Sequence, residues 1–314
     1  MTGLLPIYYK DVTFNHESFQ RAIMMQKLIA KADVLIEALP YIQAFHNAVV
    51  LVKFGGSAME VPEVTRSVLK DIVFMASAGM KPIVVHGGGK AINAELARQE
   101  IPTKFVNGLR YTCDRTIRVV DDVLHNTVNA ELVRILAEYG AEPAPVSGKN
   151  VLRGQRITTK DKETGEELDI GHVGKVVNVD TPQIQWLLER GRIPVIAPLA
   201  CDMDGRVYNV NADMAACVIA AEMKVRKLVF LSDVPGVLRD PKDESSLIST
   251  IQIGDIPHMA EEGVISGGMI PKLNSAADAI RAGVGKVHMI DGRLRHSLLL
   301  EIFTDHGTGT QIVP

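Results

Sequence analysis

The amino-acid sequence predicts an α/β fold, in which a mostly parallel β-sheet is covered by helices on both faces. The strand candidates are continuous runs of aliphatic and β-branched residues, such as 49–52, and this lack of alternation is typical of strands buried on both faces. Segments of helical pattern separate these runs, and strands that alternate with helices indicate a parallel sheet. The chain of 314 residues is long enough for about two domains of roughly 100–200 residues each.

The predicted elements begin with an amphipathic helix over residues 17–45. Pro40 is expected to kink this helix or to end its first part. Its apolar side is formed, at broadly helical spacing, by Ile23, Met24, Leu28, Val34, Leu35, Leu39 and Ile42. Later helices are predicted near 61–79, 90–99, 114–139 and 211–223 and after 267–272, and later strands at 82–89, 194–199, 227–233 and 286–290.

Residues 148–178 break this alternation of helices and strands. Short alternating segments around the sequence KETGE predict β-hairpins laid over one edge of the sheet. Such hairpins would form either a lid over a site or a solvated decoration.

Composition and charge argue against several classes of protein. The formal net charge of −3 gives no support for nucleic acid as a partner. No apolar run reaches the roughly 20 residues that span a bilayer, and the polar start MTGLLPIYYKD is not a signal peptide. Cys113, Cys201 and Cys217 show no C-x-x-C spacing, so we expect neither a zinc site nor a disulfide framework, but three reduced thiols in a cytoplasmic protein.

Two of the predicted strands end in glycines. Gly55 and Gly56 follow the strand that ends with Lys53, and a second strand runs into the triple glycine 87–89. Ligands of open α/β sheets bind at the carboxyl ends of the strands, and glycine-rich loops that lead into helices bind anions through their N–H groups. An ammonium at the end of a buried strand also needs an anionic partner. The pattern therefore predicts a phosphate site.

This phosphate site is not of a common nucleotide-binding type. The glycine-rich loops match neither the G-x-x-x-x-G-K-[ST] pattern of P-loops nor the G-x-G-x-x-G pattern of dinucleotide folds. The chain also lacks the H-R-D and D-F-G pair of protein kinases.

Three later segments add polar side chains that suit the same site. Arg110 lies in the loop NGLRYT, where its planar fork suits a carboxylate or a phosphate. Asn209, Asn211 and Asp213 precede an apolar helix, so Asp213 is either a helix N-cap or a site residue. Lys272 follows two glycines just inside another helix. The set as a whole, rather than any one member, predicts a site.

The order and spacing of six segments resemble the amino acid kinase superfamily: VKFGGSAM, VVHGGGKAI, NGLRYT, NVNAD, LSDVPGV and GGMIPK. Within it, residues 46–314 are similar to the acetylglutamate kinases that carry an N-terminal helical extension. Departures are small: Lys90 stands where proline is frequent, and ACDMDG (200–205) replaces a glycine-richer turn. The alternatives are another amino acid kinase, such as aspartate or glutamate 5-kinase, or a non-catalytic amino-acid sensor on the same fold.

The resemblance implies a fold and its division into parts. It implies a three-layer αβα sandwich with a mostly parallel open sheet and two lobes, preceded by a helix. Residues 1–45 would form the extension for oligomerisation and regulation. Residues 46–226 would form the lobe that binds acetylglutamate, and residues 227–314 the lobe that binds ATP and arginine.

The resemblance also implies the reaction, in which ATP phosphorylates the γ-carboxylate of N-acetyl-L-glutamate to N-acetyl-L-glutamyl 5-phosphate in arginine biosynthesis. Lys53 and Lys272 would flank the transferred phosphoryl group, and Asp213 would orient both ammonium groups. The residues implied for acetylglutamate are Gly88, Gly89, Arg110 and Asn209. The residues implied for ATP are Lys53, Gly55, Gly56, Ser232, Asp233 and Lys272. Mg²⁺ is expected on the ATP phosphates, with no metal site in the protein.

Feedback control by L-arginine is a further implication of the resemblance. His288, Glu301 and Gly307 match the arginine site of the arginine-inhibited form, in which N-terminal helices interlace dimers into a hexamer. The sequence leaves docking of a PII signalling protein open without indicating it, and we expect neither nucleic acid nor a membrane as a partner.

Overall fold

A computed structural model describes residues 16–161, 164–304 and 307–314. The described chain divides into two units, with the boundary between residues 44 and 45. Of the helices in these described ranges, none combines the length and the apolarity that a membrane span requires.

Helix α1 (His16–Phe45) confirms the predicted N-terminal helix and continues through Pro40, so the expected end at that residue does not occur. Its apolar residues are not confined to one narrow side. Successive helical residues are about 100° apart. Met25, Ile29 and Ile36 therefore lie next to the predicted apolar stripe and widen it. The large apolar residues of this helix that are 43–67% exposed are Met24, Met25, Leu28, Ile29, Val34, Leu35, Ile36 and Leu39.

The strands of the described residues form one large sheet and one small barrel, besides a two-stranded ribbon. The sheet strands are β1 (Val49–Phe54), β2 (Lys81–His86), β5 (Pro143–Ser147), β8 (Ile193–Ala197), β11 (Lys227–Ser232), β12 (Thr250–Gln252), β13 (Lys286–Asp291) and β14 (Thr310–Val313). The ribbon and barrel strands are β3 (Phe105–Val106), β4 (Leu109–Arg110), β6 (Leu152–Lys160), β7 (Glu167–Val179), β9 (Leu199–Cys201) and β10 (Val207–Val210).

The sheet has the order β12-β14-β13-β11-β1-β2-β8-β5, and its described pairs are parallel except β13 with β14. Its helices are α2 (Pro62–Ser77), α3 (Gly89–Arg98), α4 (Asp114–Asp122), α5 (Ala130–Glu138), α6 (Gly148–Val151), α7 (Thr181–Glu189), α8 (Ala212–Glu222), α9 (Ile256–Glu261), α10 (Met269–Arg281) and α11 (Ser297–Ile302). A π-helical segment, Val123–Asn129, joins α4 to α5 without a break in the helix.

Apolar side chains fill the space on both faces of this sheet. Along β1, Leu51 belongs to one buried cluster, whereas Val50, Val52 and Phe54 belong to the other. Because successive side chains of a strand point to opposite faces, these clusters are two cores with the sheet between them. Helices α7, α8 and α10 contribute to the first, and α2, α3, α4, α5 and α11 to the second. The predicted α/β sandwich with a mostly parallel sheet is thereby confirmed.

The segment 148–178 forms part of the barrel rather than an appendage of the sheet edge. Strands β6 and β7 pair as an antiparallel hairpin, as predicted, and the barrel closes in the order β10-β7-β6-β9. Strand β10 pairs in parallel with β7 and antiparallel with β9. The hairpin therefore shares backbone hydrogen bonds with the strand that carries Asn209.

Candidate active site

The carboxyl ends of β1 and β2 lie side by side, and both glycine-rich loops start there. Phe54 pairs with His86 in the parallel register, and the N–H of Gly87 donates to the carbonyl oxygen of Phe54 at 2.7 Å. A Cβ atom on Gly55 would lie 2.8 Å from Lys53 Nζ and 3.6 Å from Gly87 Cα. A side chain at position 55 would therefore displace the Lys53 ammonium, whereas glycine leaves room for it beside the loop.

Gly56 and Gly88 are required for different reasons. Gly56 has φ of +69°, a backbone conformation that favours glycine. Gly88 packs so closely on the π-helical segment that a Cβ atom would lie 2.5 Å from Leu124 Cδ2. Gly89 begins helix α3 with open space around its Cα.

Asp213 lies in the first turn of α8 and contacts two lysines from other elements. Its Oδ1 lies 2.7 Å from Lys53 Nζ, and its Oδ2 lies 3.6 Å from Lys272 Nζ, on α10. Asn211 is the N-cap of α8, because its side chain accepts the N–H groups of Asp213 and Met214. The question left by the sequence is thereby answered: the neighbouring Asn211 caps the helix, and the Asp213 carboxylate is held by the lysines.

The Asp213 carboxylate is anionic at neutral pH. Burial raises its pKa, but the attraction of Lys53 and Lys272 outweighs burial and holds the pKa below its ordinary value. The three side chains are only 12–22% exposed. Two ammonium groups therefore lie close to one carboxylate, and the three groups together carry one net positive charge.

Arg110, the last residue of β4, has a guanidinium group that is only partly satisfied. Its residue is 7% exposed, and its Nη2 donates to the carbonyl oxygen of Gly89 at 3.2 Å. The Cζ atom of this group lies over the Phe105 ring, 4.8 Å from the ring centroid. Nη1 is buried without a hydrogen-bond partner among the described residues, and burial lowers the pKa of the group. A buried cationic donor without a partner indicates an anionic ligand.

A cavity of about 660 Å³ brings Lys53, Gly56, Arg110 and Asp233 together with the triple glycine. A second cavity of about 220 Å³ shares Arg110 and the triple glycine and is also lined by Asn209. A third, of about 550 Å³, is lined by Asp213 and Lys272. The four predicted acetylglutamate residues thus all line the second cavity. Of the predicted catalytic residues, Lys53 lines the first cavity, and Asp213 and Lys272 line the third.

The two predicted ATP residues at the end of β11 lie side by side. Ser232 is buried and its Oγ is 3.5 Å from Asp233 Oδ1, while Asp233 is exposed in the large cavity. Across the same cavity, Lys90 forms an ion pair with Glu60. Lys90, one of the two departures from the family pattern, therefore adds an ammonium group, paired with Glu60, to the lining of this cavity.

His86 contacts the first glycine of the triple-glycine loop and is in turn contacted by Asn129, and neither residue was predicted to belong to the site. The buried His86 ring contacts the carbonyl oxygen of Gly87 through Nδ1 at 2.7 Å and Asn129 Nδ2 through Nε2 at 3.0 Å. Asn129 also donates to the carbonyl oxygen of Val195 at 2.8 Å. The π-helical turn that ends at Asn129 was predicted only as helix, because periodicity cannot show a local i→i+5 pattern. The sequence signal for these contacts was the histidine directly before the triple glycine.

His288, Glu301 and Gly307 lie together, none of them among the residues that line these cavities. His288 Nδ1 is 2.5 Å from Glu301 Oε1, and Oε2 of Glu301 accepts the N–H of Thr308 at 2.8 Å. Gly307 has φ of +61°, and a Cβ atom there would lie 2.8 Å from the carboxylate oxygens. Burial raises the pKa of Glu301, but these two hydrogen bonds and the charge of Lys227 nearby outweigh it. His288 Nε2 is buried without a partner among the described residues.

Two acidic side chains of this site are engaged by lysines. No group of three or more His, Cys, Asp or Glu residues within the described ranges has an arrangement that could hold a metal ion. Asp213 is engaged by two lysines, and Glu60 by Lys90.

Comparison with known proteins gives a family match and close relatives. The model of the amino acid kinase family matches residues 48–291. The acetylglutamate kinase of Thermoanaerobacter sp. (strain X514) is 50% identical over 284 residues, which cover 90% of this chain and 93% of that relative. The acetylglutamate kinase of Akkermansia muciniphila is 44% identical over 288 residues, which cover 91% and 97%.

The N-acetylglutamate synthase of Neisseria gonorrhoeae has a similar structure. Its complex with coenzyme A and N-acetyl-glutamate gives a TM-score of 0.79 at 24% identity over 90% of this chain. Its complex with coenzyme A and L-arginine gives 0.75 at 22% identity over 90% of this chain. The matches span 63% and 65% of the synthase chain. At these identities the likeness supports the fold alone.

The burial of His86 predicts how stability depends on pH. Burial lowers the pKa of His86 from 6.5 to about 4 in the folded chain, so the unfolded chain takes up a proton first as the pH falls below 6.5. The contribution of neutral His86 to the free energy of unfolding is therefore fully present above pH 6.5 and is lost as the pH falls towards 4. Relative to His86→Gln, the wild-type free energy of unfolding should fall by about 2–3 kcal/mol between about pH 7 and pH 4.5. Urea unfolding of both proteins at each pH measures this, and a difference that is independent of pH would contradict the buried neutral ring.

Proposed function

Because this chain belongs to the amino acid kinase family, we propose that it is an ATP-dependent kinase that phosphorylates the γ-carboxylate of N-acetyl-L-glutamate. The product is N-acetyl-L-glutamyl 5-phosphate, an intermediate of arginine biosynthesis. The observation that carries this proposal is the pairing of Lys53 and Lys272 with one carboxylate, in a cleft beside the unsatisfied Arg110. The names of relatives at 44–50% identity support the choice of acceptor.

The chemistry requires positive charge and positioning rather than a base. A γ-carboxylate has a pKa of about 4.3, so it is ionised at neutral pH and attacks the γ-phosphorus of ATP directly. The new carboxyl oxygen–phosphorus bond forms as the bond to the β–γ bridging oxygen breaks, and ADP leaves. Two anions must approach each other, and the charge on the phosphoryl oxygens must be stabilised in the transition state.

Lys53, Lys272 and Asp213 are proposed to catalyse this transfer. The ammonium groups would contact the transferred phosphoryl group and the leaving phosphate from two elements, β1 and α10. Asp213 contacts both lysines and would keep them in place before the substrates enter. Because this charge acts mainly in the transition state, it contributes to turnover more than to substrate affinity.

Arg110, Asn209, Gly88 and Gly89 are proposed to bind the acceptor. The unpartnered Nη1 of Arg110 provides the donor for the α-carboxylate, and a planar fork suits that anion better than an ammonium does. Asn209 lines the second cavity together with Arg110 and would contact the α-carboxylate end of the acceptor. The glycines would offer backbone N–H groups to the end that reacts.

ATP is proposed to bind along Gly55, Gly56 and the end of β11, where Ser232 and Asp233 lie. Mg²⁺ is proposed to enter as the MgATP complex and to neutralise the phosphates, since Asp213 and Glu60 are already paired with lysines. We place the reaction in the cytoplasm, because it consumes ATP and because Cys113, Cys201 and Cys217 are free thiols.

A panel of acceptors tests the proposed reaction. ADP release is measured with N-acetyl-L-glutamate, L-glutamate and L-aspartate, each with MgATP. We expect kcat/KM for N-acetyl-L-glutamate to exceed the others by at least about 100-fold, since N-acetylation removes the ammonium charge beside Arg110. The Lys272→Met protein, purified in parallel, controls for contaminating kinases. Equal rates with all three acceptors would refute the acceptor, and no rate with any would favour a sensor.

Regulation by L-arginine is proposed from the sequence resemblance and from the cluster of His288, Glu301 and Gly307. The Glu301 carboxylate is held by a neutral histidine and a backbone N–H, so a cationic ligand could exchange for the histidine. The unpartnered His288 Nε2 can accept an N–H from a guanidinium.

Residues 46–226 are proposed as the acceptor lobe and residues 227–314 as the nucleotide and arginine lobe. The exposed apolar helix α1 is proposed to join dimers into a hexamer.

Deleting residues 1–44 tests the role of the helix. The deletion should retain Phe45, because its ring is buried in the second unit against Arg226 and Lys227. We expect an active dimer by light scattering, with at least a tenfold higher arginine concentration for half inhibition. Unchanged inhibition of the truncated enzyme would remove α1 from regulation.

The Glu301→Gln variant is the matched control for this deletion, because it removes the charge but keeps an acceptor for His288. It should remain a hexamer and lose most of its inhibition by arginine. A variant inhibited as strongly as the wild type would separate Glu301 from the arginine site.

A further inference from the structure

Thr112 is completely buried, and every polar group that it has is paired. Its N–H donates to the carbonyl oxygen of Ile170 at 3.0 Å, and its carbonyl oxygen accepts the N–H of His172 at 2.6 Å. Its hydroxyl donates to the carbonyl oxygen of Arg110 at 2.8 Å and accepts from Asn209 Nδ2 at 3.3 Å. One side chain thus joins the main chain of Arg110 to the side chain of Asn209.

The surrounding backbone is built to hold Thr112 in this place. Gly171, in β7, has φ of +76°, and a Cβ atom there would lie 2.2 Å from the carbonyl oxygen of Thr112. Strand β7 can therefore lie against Thr112 only with glycine at this position. The pairing fixes the segment that carries Arg110 to the barrel that carries Asn209.

The hydroxyl restricts both groups that line the acceptor cavity. It fixes the carbonyl of Arg110, whose guanidinium has the unpartnered Nη1. It also uses one amide donor of Asn209 and so restrains the plane of that carboxamide. A hydroxyl both donates and accepts, whereas valine has the same shape as threonine and neither capacity.

We propose that Thr112 is a positioning residue for the acceptor, acting through Arg110 and Asn209 at its α-carboxylate end. This inference rests on the proposed function only for the identity of the acceptor. Thr112 itself is fully buried behind the cavity, so it makes no contact with the substrate. Its removal should weaken acceptor binding while leaving nucleotide binding and the catalytic lysines unaffected.

The test compares Thr112→Val and Thr112→Ser with Thr310→Val. Thr310 is equally buried, and its hydroxyl also donates to a carbonyl oxygen, of Ile248, and accepts an N–H, of Val237, at 2.7 and 2.8 Å. It lies on β14 and lines none of the cavities described above. Both valine variants should lose comparable thermal stability, which controls for the loss of a buried hydrogen-bonded hydroxyl.

Steady-state kinetics then separate positioning from stability. Thr112→Val should raise KM for N-acetyl-L-glutamate about tenfold, with kcat reduced no more than about threefold and KM for ATP unchanged. Thr112→Ser and Thr310→Val should stay within twofold of the wild type. If Thr112→Val changes the acceptor KM no more than Thr310→Val does, Thr112 is structural only and the proposal is overturned.

A substrate analogue and a second variant identify the group through which Thr112 acts. 4-Acetamidobutanoate has the reacting carboxylate and the acetamido group but no α-carboxylate, so Thr112→Val should raise its KM by less than threefold. In an Arg110→Lys background, Thr112→Val should likewise add less than threefold, because the fork that it positions is gone. Full additivity would contradict action through Arg110.

These outcomes remain distinct from failure of the proposed function. If the wild type does not phosphorylate N-acetyl-L-glutamate, the proposed function fails. Thr112 is then judged by the same comparison of variants on whichever carboxylate acceptor of the panel is phosphorylated, or, if none is, by calorimetric binding of N-acetyl-L-glutamate. An unchanged dissociation constant in Thr112→Val would overturn the positioning role in that case as well.

Discussion

The ion pairs of Asp213 with Lys53 and Lys272 are the constraint on which the rest of the site depends. Two ammonium groups repel each other, and holding them partly buried costs free energy unless an anion lies between them. Asp213 supplies that anion at 2.7 and 3.6 Å from the two nitrogens. Since the cost of desolvating a largely buried ion pair offsets most of its attraction, we interpret this one as preorganisation of charge for phosphoryl transfer rather than as a stabilising feature.

The fold provides this geometry from three separate elements. Lys53 extends from the end of a strand in the middle of the sheet, Lys272 from helix α10, and Asp213 from the first turn of α8. Asn211 caps α8 and thereby leaves the Asp213 carboxylate free for the lysines. The proposed acceptor side is built from other elements, where Arg110 contacts Thr112 and the Phe105 ring. In the proposed function, charge for the reaction and recognition of the acceptor are thus supported by different parts of the chain.

Much of this arrangement could be predicted from the sequence, because its signals are local. Unbroken apolar strands, paired glycine-rich loops and the alternation of helices with strands predicted the sheet and the edge where the site lies. Other features depend on contacts between distant residues. No periodicity shows that β10 closes a barrel with β7, that Asn129 reaches His86 from a π-helical turn, or that Gly171 lies against Thr112. The breadth of the apolar surface of α1 was also underestimated, because only one stripe was considered. The roles of the individual site residues remain predictions.

The most direct measurement of the central claim is the turnover of the Asp213→Asn variant together with its affinity for each substrate. Asparagine keeps the size of the side chain and one oxygen but removes the charge that holds both lysines. Our account predicts that kcat falls by about 1,000-fold or more, while calorimetric dissociation constants for N-acetyl-L-glutamate and for a non-hydrolysable ATP analogue change less than threefold. A variant that retains more than about a third of the wild-type kcat would contradict the account, because the lysines would then be catalytically competent without the carboxylate between them.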